Sequence, residues 1–394
     1  MAEPIPNLEA EPTFPAGPEA TPDFTLREIA VFGSIVSAVL LSANAFACAT
    51  WSHFFRLPGW IEWQILPGLL AFAFIPATIL RFRSSHPALR ILYALSATWV
   101  GALNFLFFAA IACWIFKGLG WLFGWPFSSF YPATILFGLA FLATGYGLMS
   151  ASWIRTNRIT VPLPHLPAAW QGRTVALVTD LHLGPLSGPG FLRRVIEQLR
   201  SFEPDAVFIS GDMFDGPVIG LDQLVTPWRD FAPPRGIFYV TGNHDEFAER
   251  SIYLKAVSGS GIRVLNNQMV RVDGLQVVGV HDSEAGHPAE LRKILRQVQM
   301  DRQHPSILLA HRPVNLSVAE EAGISLQLSG HTHGGQFWPW TMLVSRIYGG
   351  FAYGINRLGR MSVYTSSGAG TWGPPLRVGT RSEIVLIRLE ADAG

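Results

Sequence analysis

Four long stretches without a charged side chain dominate the N-terminal part of this chain. They are Ile29–Trp51, Trp63–Leu80, Ile91–Phe116 and Pro132–Ile154. A helix needs about 20 apolar residues to cross about 30 Å of hydrocarbon. A soluble bundle built from these stretches would lack the polar face that each helix needs toward water. The sequence therefore predicts four transmembrane helices within residues 26–154.

The basic residues between these stretches are unevenly distributed. Most lie between the second and third stretches or directly after the fourth, whereas the other two loops contain only Arg56 and Lys117. The larger group consists of Arg81, Arg83, Arg90, Arg155 and Arg158. Because cytoplasmic loops carry an excess of Lys and Arg, we expect both termini, and hence the C-terminal domain, on the cytoplasmic side. A cleaved signal peptide is less favoured, because the segment before the first stretch is acidic.

Composition separates the remaining regions of the chain. Residues 1–25 are rich in Pro, Glu and Ala, which predicts a disordered acidic tail. Residues 155–172 contain three prolines, which predicts a linker before a second domain at 173–394. With 29 basic and 28 acidic side chains in total, the chain lacks the cationic excess of nucleic-acid-binding proteins, and we expect no nucleic-acid partner. Cys48 and Cys113 both lie in apolar stretches, so we expect no disulfide framework.

From residue 174 onward, short β-rich runs alternate with helical patterns. The clearest runs are Thr174–Thr179, Ala206–Ser210, Gly236–Thr241, Leu275–Val280 and Ser306–Ala310. Helical patterns lie at Phe191–Phe202, Asp245–Val257, Ala289–Met300 and Val314–Ala322. Such alternation predicts an α/β fold in which helices cover the outer faces of packed sheets.

Acidic, amide and imidazole side chains follow these runs where each predicted strand ends. The motifs are Asp180-Leu181-His182, Gly211-Asp212, Gly242-Asn243-His244-Asp245, His311 and Gly330-His331-Thr332-His333. Ligands of open α/β sheets bind beyond the carboxyl ends of the strands, so these side chains can converge. Each motif alone is weak, because Gly-Asp after a strand is commonly a turn and His-x-His indicates a metal only with further ligands. Their order along the chain is more informative than any one of them.

This ordered set of motifs resembles the calcineurin-like metallophosphoesterase family, and the resemblance covers residues 174–389. Within that family the chain is most similar to the membrane-tethered branch of the YkuE and YaeI type. The shared features are Gly-His-Thr-His-Gly-Gly-Gln at 330–336, Tyr-Thr-Ser-Ser-Gly at 364–368 and Pro-Pro-Leu-Arg at 374–377. The resemblance implies an α/β/β/α sandwich attached to the four transmembrane helices, in a bacterial inner membrane.

The resemblance also implies a site for two divalent metal ions, with no departure at the ligand positions. The ligands would be Asp180, His182 and His333 for one ion, Asn243, His311 and His331 for the other, and Asp212 as the bridge. Mixed oxygen and imidazole ligands suit Mn, Fe or Zn better than Ca. Such a site brings the pKa of a bridging water to about neutral. The resulting hydroxide would attack a phosphodiester or pyrophosphate bond.

Other side chains near these motifs have candidate roles. The resemblance makes His244 the proton donor to the leaving group, and we expect the adjacent Asp245 to orient its ring. His281 and Asp282 follow the run Leu275–Val280 and are candidate substrate contacts at the rim, with an ordinary turn as the alternative.

The segment after the last predicted ligand is apolar and aromatic. It reads Phe-Trp-Pro-Trp-Thr-Met-Leu-Val at 337–344, and Arg346 follows. A core strand is one interpretation, and the other is a wall that dips into the membrane interface, where Arg346 would meet anionic headgroups. The second interpretation favours a lipid-linked phosphate as substrate, and the resemblance points to the UDP-diacylglucosamine type. A tethered phosphodiesterase of soluble nucleotides and a non-catalytic metal-binding scaffold remain the alternatives.

Overall fold

The computed structural model describes residues 26–57, 62–84, 86–124, 128–184, 186–216, 219–245 and 250–392. The predicted acidic tail at residues 1–25 lies outside these ranges. The described residues form a bundle of long helices followed by a mixed α/β domain.

The N-terminal bundle contains four helices that pack side by side. They are α1 (Leu26–Phe55), α2 (Ile65–Arg81), α3 (Pro87–Leu122) and α4 (Phe130–Ser152). All four are long and apolar enough to cross a membrane, which confirms the predicted number. Phe32 and Leu142, each 69% exposed, point away from the bundle, as expected where lipid surrounds the helices. At 36 residues, α3 is about 54 Å long and exceeds the hydrocarbon thickness.

The C-terminal domain is built on two six-stranded sheets. Its strands are β1 (Arg155–Leu163), β2 (Thr174–Val178), β3 (Ala206–Ser210), β4 (Ile237–Val240), β5 (Ile262–Val264), β6 (Gln268–Val272), β7 (Leu275–Gly279), β8 (Ser306–Leu309), β9 (Leu326–Ser329), β10 (Gly354–Leu358), β11 (Met361–Thr365) and β12 (Glu383–Ala391). The first sheet has the order β1-β12-β2-β3-β4-β5, and the second β10-β11-β9-β8-β7-β6. In each sheet the central strands run parallel, β2-β3-β4 in the first and β7-β8-β9 in the second.

Helices cover the outer faces of both sheets. They are α5 (Pro189–Phe202), α6 (Leu221–Val225), α7 (Arg250–Ser258), α8 (Asp282–Ala285), α9 (Pro288–Gln297) and α10 (Leu316–Ala322). A further helix, α11 (Trp340–Tyr348), contacts the turn of His333 instead. Side chains such as Leu177, Phe208 and Ile307 fill the space between the sheets. Leu192 of α5 packs on the first sheet, and Leu291 of α9 packs on the second. The layers are therefore α/β/β/α, as the resemblance implied.

The predicted linker at residues 155–172 is wrong, because most of it belongs to the domain. Its first nine residues form β1, which pairs in parallel with β12 along its whole length. Pro162 is accommodated because β1 is an edge strand, where one side of the strand needs no hydrogen-bond donor. Trp170 is fully buried between the sheets and donates to the carbonyl of Val272.

The helix bundle packs directly on the α/β domain. Leu376, fully buried, joins Phe337 in one apolar cluster with Leu103 and Phe137 of the bundle. The backbone N–H of Arg377 donates to the carbonyl of Gly147 in α4. The domain is therefore attached to the membrane segment by a packed interface as well as by the chain connection.

Gly101 of α3 provides a test of this interface. A methyl group at this position would overlap the side chain of Leu376, which is fully buried and cannot move into solvent. We expect Gly101→Ala to lower the free energy of unfolding by about 1–3 kcal/mol through overpacking, measured as thermal unfolding of the full chain in detergent. Gly138→Ala in α4 is the matched control, since its methyl group would meet nothing within 4 Å. Equal stability of the two variants would contradict the packed interface.

Candidate metal centre

The predicted ligands converge at one edge of the two sheets. Asp180 and His182 follow β2, Asp212 follows β3, and Asn243 follows β4. On the second sheet, His311 follows β8, while the remaining two follow β9, namely His331 and His333. Because parallel strands carry their carboxyl ends to a common edge, loops far apart in sequence meet here.

Backbone conformation marks the same residues. The left-handed region is uncommon for residues with a side chain and carries strain that clusters at functional sites. Five of the seven predicted ligands adopt it, with φ of 52° at Asp180, 45° at His182, 49° at Asp212, 69° at His331 and 49° at His333. The local chain is therefore bent to direct these side chains into one space.

The first group of side chains contains Asp180, His182 and His333. The Nε2 atoms of the two imidazoles lie 3.0 Å apart. Oδ1 of Asp180 is 3.4 Å from Nε2 of His333 and 3.9 Å from Nε2 of His182. All three residues are buried, and their donor atoms lie close enough together to hold one metal ion.

The second group contains Asn243, His311 and His331, with Asp212 between the two groups. Oδ1 of Asn243 lies 2.8 Å from Nδ1 of His331. Oδ2 of Asp212 is 3.2 Å from Nε2 of His311 and 3.7 Å from Nε2 of His182. One carboxylate oxygen therefore faces both groups, which is the position that a bridging ligand needs.

The tautomer of His311 fits metal binding. Its Nδ1 lies 2.8 Å from the carbonyl oxygen of Ser210. A carbonyl only accepts, so Nδ1 is the ring nitrogen that donates to Ser210, and Nε2 faces the site, where a metal ion would bind in place of a proton. Burial alone would lower the pKa of His311, but the carboxylates of Asp212 and Asp180 raise it to about 10. The site therefore attracts positive charge, as a cation-binding site must.

Asp245 does not occupy the position predicted for it. Its carboxylate accepts hydrogen bonds from the backbone N–H groups of Met213, Phe214 and Gly242. Burial, followed by the charge of Asp212, raises the pKa of Asp245 to about 7. The residue ties two ligand-bearing loops together, and the expectation that it orients His244 is corrected accordingly.

Among the described residues, the carboxylate of Asp215 lies close to the ring of His244. Its Oδ1 is 3.7 Å from Nδ1 of His244 and 3.5 Å from Nδ1 of His182. The ring of His244 lies over the site, with 17% of its side chain exposed. Its centroid is 5.8 Å from that of Trp372. His244 is therefore the predicted site imidazole that both faces the ligands and reaches the open side.

His281 and Asp282 lie below the surface rather than at the rim. They are 4% and 1% exposed. Nδ1 of His281 is 2.6 Å from Oε2 of Glu284, and Oδ1 of Asp282 accepts from Nε of Arg312 at 2.8 Å. Asp282 thus supports Arg312, the residue after the predicted ligand His311, and contact of His281 or Asp282 with substrate stays a prediction. Arg346 lies exposed on α11.

Two functional residues were missed by the sequence reasoning, Asp215 and Arg377. Asp215 is three residues after Asp212 in the same loop, and this spacing is the signal that could have found it. Arg377 is fully buried and donates to the carbonyls of Ser367 and Gly370 at 2.6 Å each, and to that of His333 at 3.3 Å. It fixes the loop that carries His333; the Pro-Pro-Leu-Arg motif at 374–377 singled out the residue, but not this role.

Comparisons with known proteins agree with this arrangement. The family described as calcineurin-like phosphoesterase matches residues 173–335. An uncharacterized metallophosphoesterase of Campylobacter jejuni is 30% identical over 314 residues, which cover 75% of this chain and 83% of that protein. The metallophosphoesterase YkuE of Bacillus subtilis is 28% identical over 261 residues, which cover 63% of this chain and 90% of that protein.

A vertebrate relative is named as a transmembrane protein. The transmembrane protein with metallophosphoesterase domain of Danio rerio is 33% identical over 263 residues, covering 62% of this chain. The match spans 60% of the length of that relative and 59% of a Helicobacter pylori metallophosphoesterase.

Asp212 provides the test of the bridging position. We expect Asp212→Asn to lower the bound divalent metal per chain and to reduce hydrolysis of bis-p-nitrophenyl phosphate about 10²-fold or more, because the charge that offsets both cations is lost. Elemental analysis and a Mn²⁺-dependent assay measure the two effects. Asp301→Asn is the matched control, since Asp301 is 40% exposed and pairs with His304. Retention of more than about a tenth of the rate would contradict the bridging role.

Proposed function

Because the chain belongs to the calcineurin-like metallophosphoesterases, we propose that it is a membrane-anchored hydrolase of a lipid-linked phosphodiester or pyrophosphate. The family supports hydrolysis of phosphate esters, and the four long apolar helices support a membrane anchor. The lipid-linked substrate, of the UDP-diacylglucosamine type, is our proposal.

The donor set supports the chemistry. Two divalent cations, such as Mn, Fe or Zn, held by the seven ligands would provide a water of near-neutral pKa and positive charge at the phosphoryl oxygens. Asp212 offsets part of that charge, and the amide of Asn243 adds a ligand without adding another negative charge. In this proposal His244 gives a proton to the leaving oxygen, and the partial exposure of its ring beside the ligands supports that role. Burial lowers the pKa of His244 from its ordinary value, so the protonated donor form is more populated at acidic than at neutral pH.

The position of helix α11 is the main support for a lipid-linked substrate. At its start, Nε1 of Trp340 donates to Oδ1 of Asn104 in α3 at 3.2 Å, and the neighbouring carbonyl of Trp338 accepts from the same amide. At its end, the ring centroid of Tyr348 lies 6.3 Å from that of His331. Nine residues of helix, about 13 Å, thus connect a transmembrane helix with the metal centre. The segment is a helix and not the core strand that was one interpretation of the sequence.

The outer side of α11 is suited to lipid. Leu343 and Ile347 are 48% and 64% exposed, and Met342 is 53% exposed. Aliphatic side chains beside a transmembrane helix favour the interface, and an exposed cation such as Arg346 favours phosphate headgroups. Trp372, 56% exposed beside His244, supplies a further apolar wall. A substrate with acyl chains could therefore remain in the membrane while its phosphate enters the site.

Competition between substrates tests this proposal. The full chain in detergent with Mn²⁺ should hydrolyse bis-p-nitrophenyl phosphate, and dispersed UDP-diacylglucosamine should inhibit that reaction and be cleaved at its pyrophosphate. Hydrolysis without competition would favour a tethered phosphodiesterase of soluble nucleotides. A chain that binds metal but turns over neither substrate would favour a scaffold.

Charged substitutions on α11 separate lipid access from catalysis. We expect Leu343→Glu with Ile347→Glu to reduce cleavage of the lipid substrate about tenfold or more, because interfacial burial of two aliphatic side chains is lost. Hydrolysis of bis-p-nitrophenyl phosphate should stay within about twofold, since neither residue is a ligand. Ile355→Glu on the edge strand β10 is the matched control, at 44% exposure. Equal losses on both substrates would contradict a role in lipid access.

We further propose that the chain lies in a bacterial inner membrane with its catalytic domain in the cytoplasm. The arginines at the α2–α3 loop and after α4 support this orientation through the positive-inside rule. A C-terminal reporter active only in the cytoplasm should be active in whole cells. Activity of a periplasm-specific reporter at the same position would reverse the orientation.

A further inference from the structure

Arg81, the last residue of transmembrane helix α2, enters the catalytic domain. Its Nη1 donates to Oδ2 of Asp215 at 2.6 Å, and its Nη2 donates to the carbonyl oxygen of the same residue at 3.3 Å. The guanidinium also lies 4.6 Å from the ring centroids of both Phe82 and Tyr93. Arg81 is only 7% exposed. A buried cation is tolerated when it is paired and hydrogen-bonded, and its partner here lies 134 residues further along the chain.

Asp215 divides its two carboxylate oxygens between the membrane helix and the metal centre. Oδ2 accepts from Arg81, whereas Oδ1 lies 3.5 Å from Nδ1 of His182 and 3.7 Å from Nδ1 of His244. Nδ1 of His182 and Oδ1 of Asp215 are both buried, and neither has a hydrogen-bond partner among the described residues. The two atoms thus face each other at 3.5 Å, within reach of a hydrogen bond after a small adjustment.

We propose that Arg81 is a positioning residue of the metal centre, supplied by the membrane segment. By holding Oδ2 of Asp215, it directs Oδ1 at His182. A metal-binding histidine commonly donates its second ring N–H to a carboxylate, which fixes the tautomer and the ring orientation. His182 then presents Nε2 to the first ligand group, where it lies 3.0 Å from Nε2 of His333. This inference rests on the proposed two-metal function.

The geometry makes the bundle part of the active centre. Two aromatic rings of the membrane segment pack against the guanidinium of Arg81 and limit its movement. They belong to Phe82 in the α2–α3 loop and Tyr93 in α3. Phe82 also lies against Gly216, the residue after Asp215. A catalytic domain whose bundle is displaced would thus keep all seven ligands and still lose the group that orients one of them.

The test measures metal affinity in the full chain purified in detergent. Co²⁺ is the probe, because its visible absorption reports ligand geometry and calorimetry reports its affinity independently of turnover. We expect Arg81→Met to weaken Co²⁺ binding about 10- to 100-fold, the usual effect of removing a partner of a metal ligand, and to change the Co²⁺ spectrum. Arg81→Lys should recover part of the affinity, because it keeps the charge but not the two-point contact. Arg83→Met, at an exposed arginine two residues away, is the matched control and should bind like the wild type.

A double-mutant cycle distinguishes positioning from general destabilisation. If Arg81 acts through Asp215, Arg81→Met should add little to the loss already caused by Asp215→Asn. Full additivity of the two losses, or Co²⁺ affinity of Arg81→Met within about twofold of wild type, would overturn the inference while leaving the proposed function intact. If Arg81→Met does not fold, Arg81→Lys becomes the test of the inference. Wild-type Co²⁺ affinity and a wild-type spectrum in Arg81→Lys would show that the two-point contact is not needed. A wild-type chain that binds no divalent cation would contradict both proposals.

Discussion

Burial of aspartates and histidines against one another at the ends of parallel strands is the interaction on which this structure depends. Isolated charges could not be buried there, because desolvation would outweigh any local gain. The fold accommodates them because each carboxylate has a partner: Asp212 faces His311, Asp215 faces Arg81, and Asp245 accepts from backbone N–H groups. The strained left-handed backbone at these positions is retained because the surrounding strands fix both sides of each loop.

The same constraint explains which parts of the site were predictable. Each predicted ligand directly follows an apolar run, so a strand and its polar end could be recognised together. Asp245 was misassigned because adjacency in sequence to His244 does not determine where a side chain points after a turn. Asp215 and Arg81 are separated by 134 residues, and no local pattern connects them.

The fold was predictable to a similar degree and failed for related reasons. Central strands such as β3 are fully buried and therefore read as continuous apolar runs. The edge strand β1 is half exposed and contains a proline, so it was mistaken for a linker. Helix α11 has the apolar composition of a core strand, but its exposed side chains reflect a place beside the membrane helices. In both segments the secondary structure depends on contacts with distant parts of the chain and not on the local sequence.

The ion pair between α2 and the catalytic domain has a consequence for assembly. Helix α2 leaves the ribosome well before the loop that carries Asp215, and domains generally form in the order of synthesis. Arg81 is therefore synthesised, at the end of helix α2, before the carboxylate with which it pairs. A domain that folded without docking on the bundle would lack this partner, so docking is the step that brings Asp215 to Arg81.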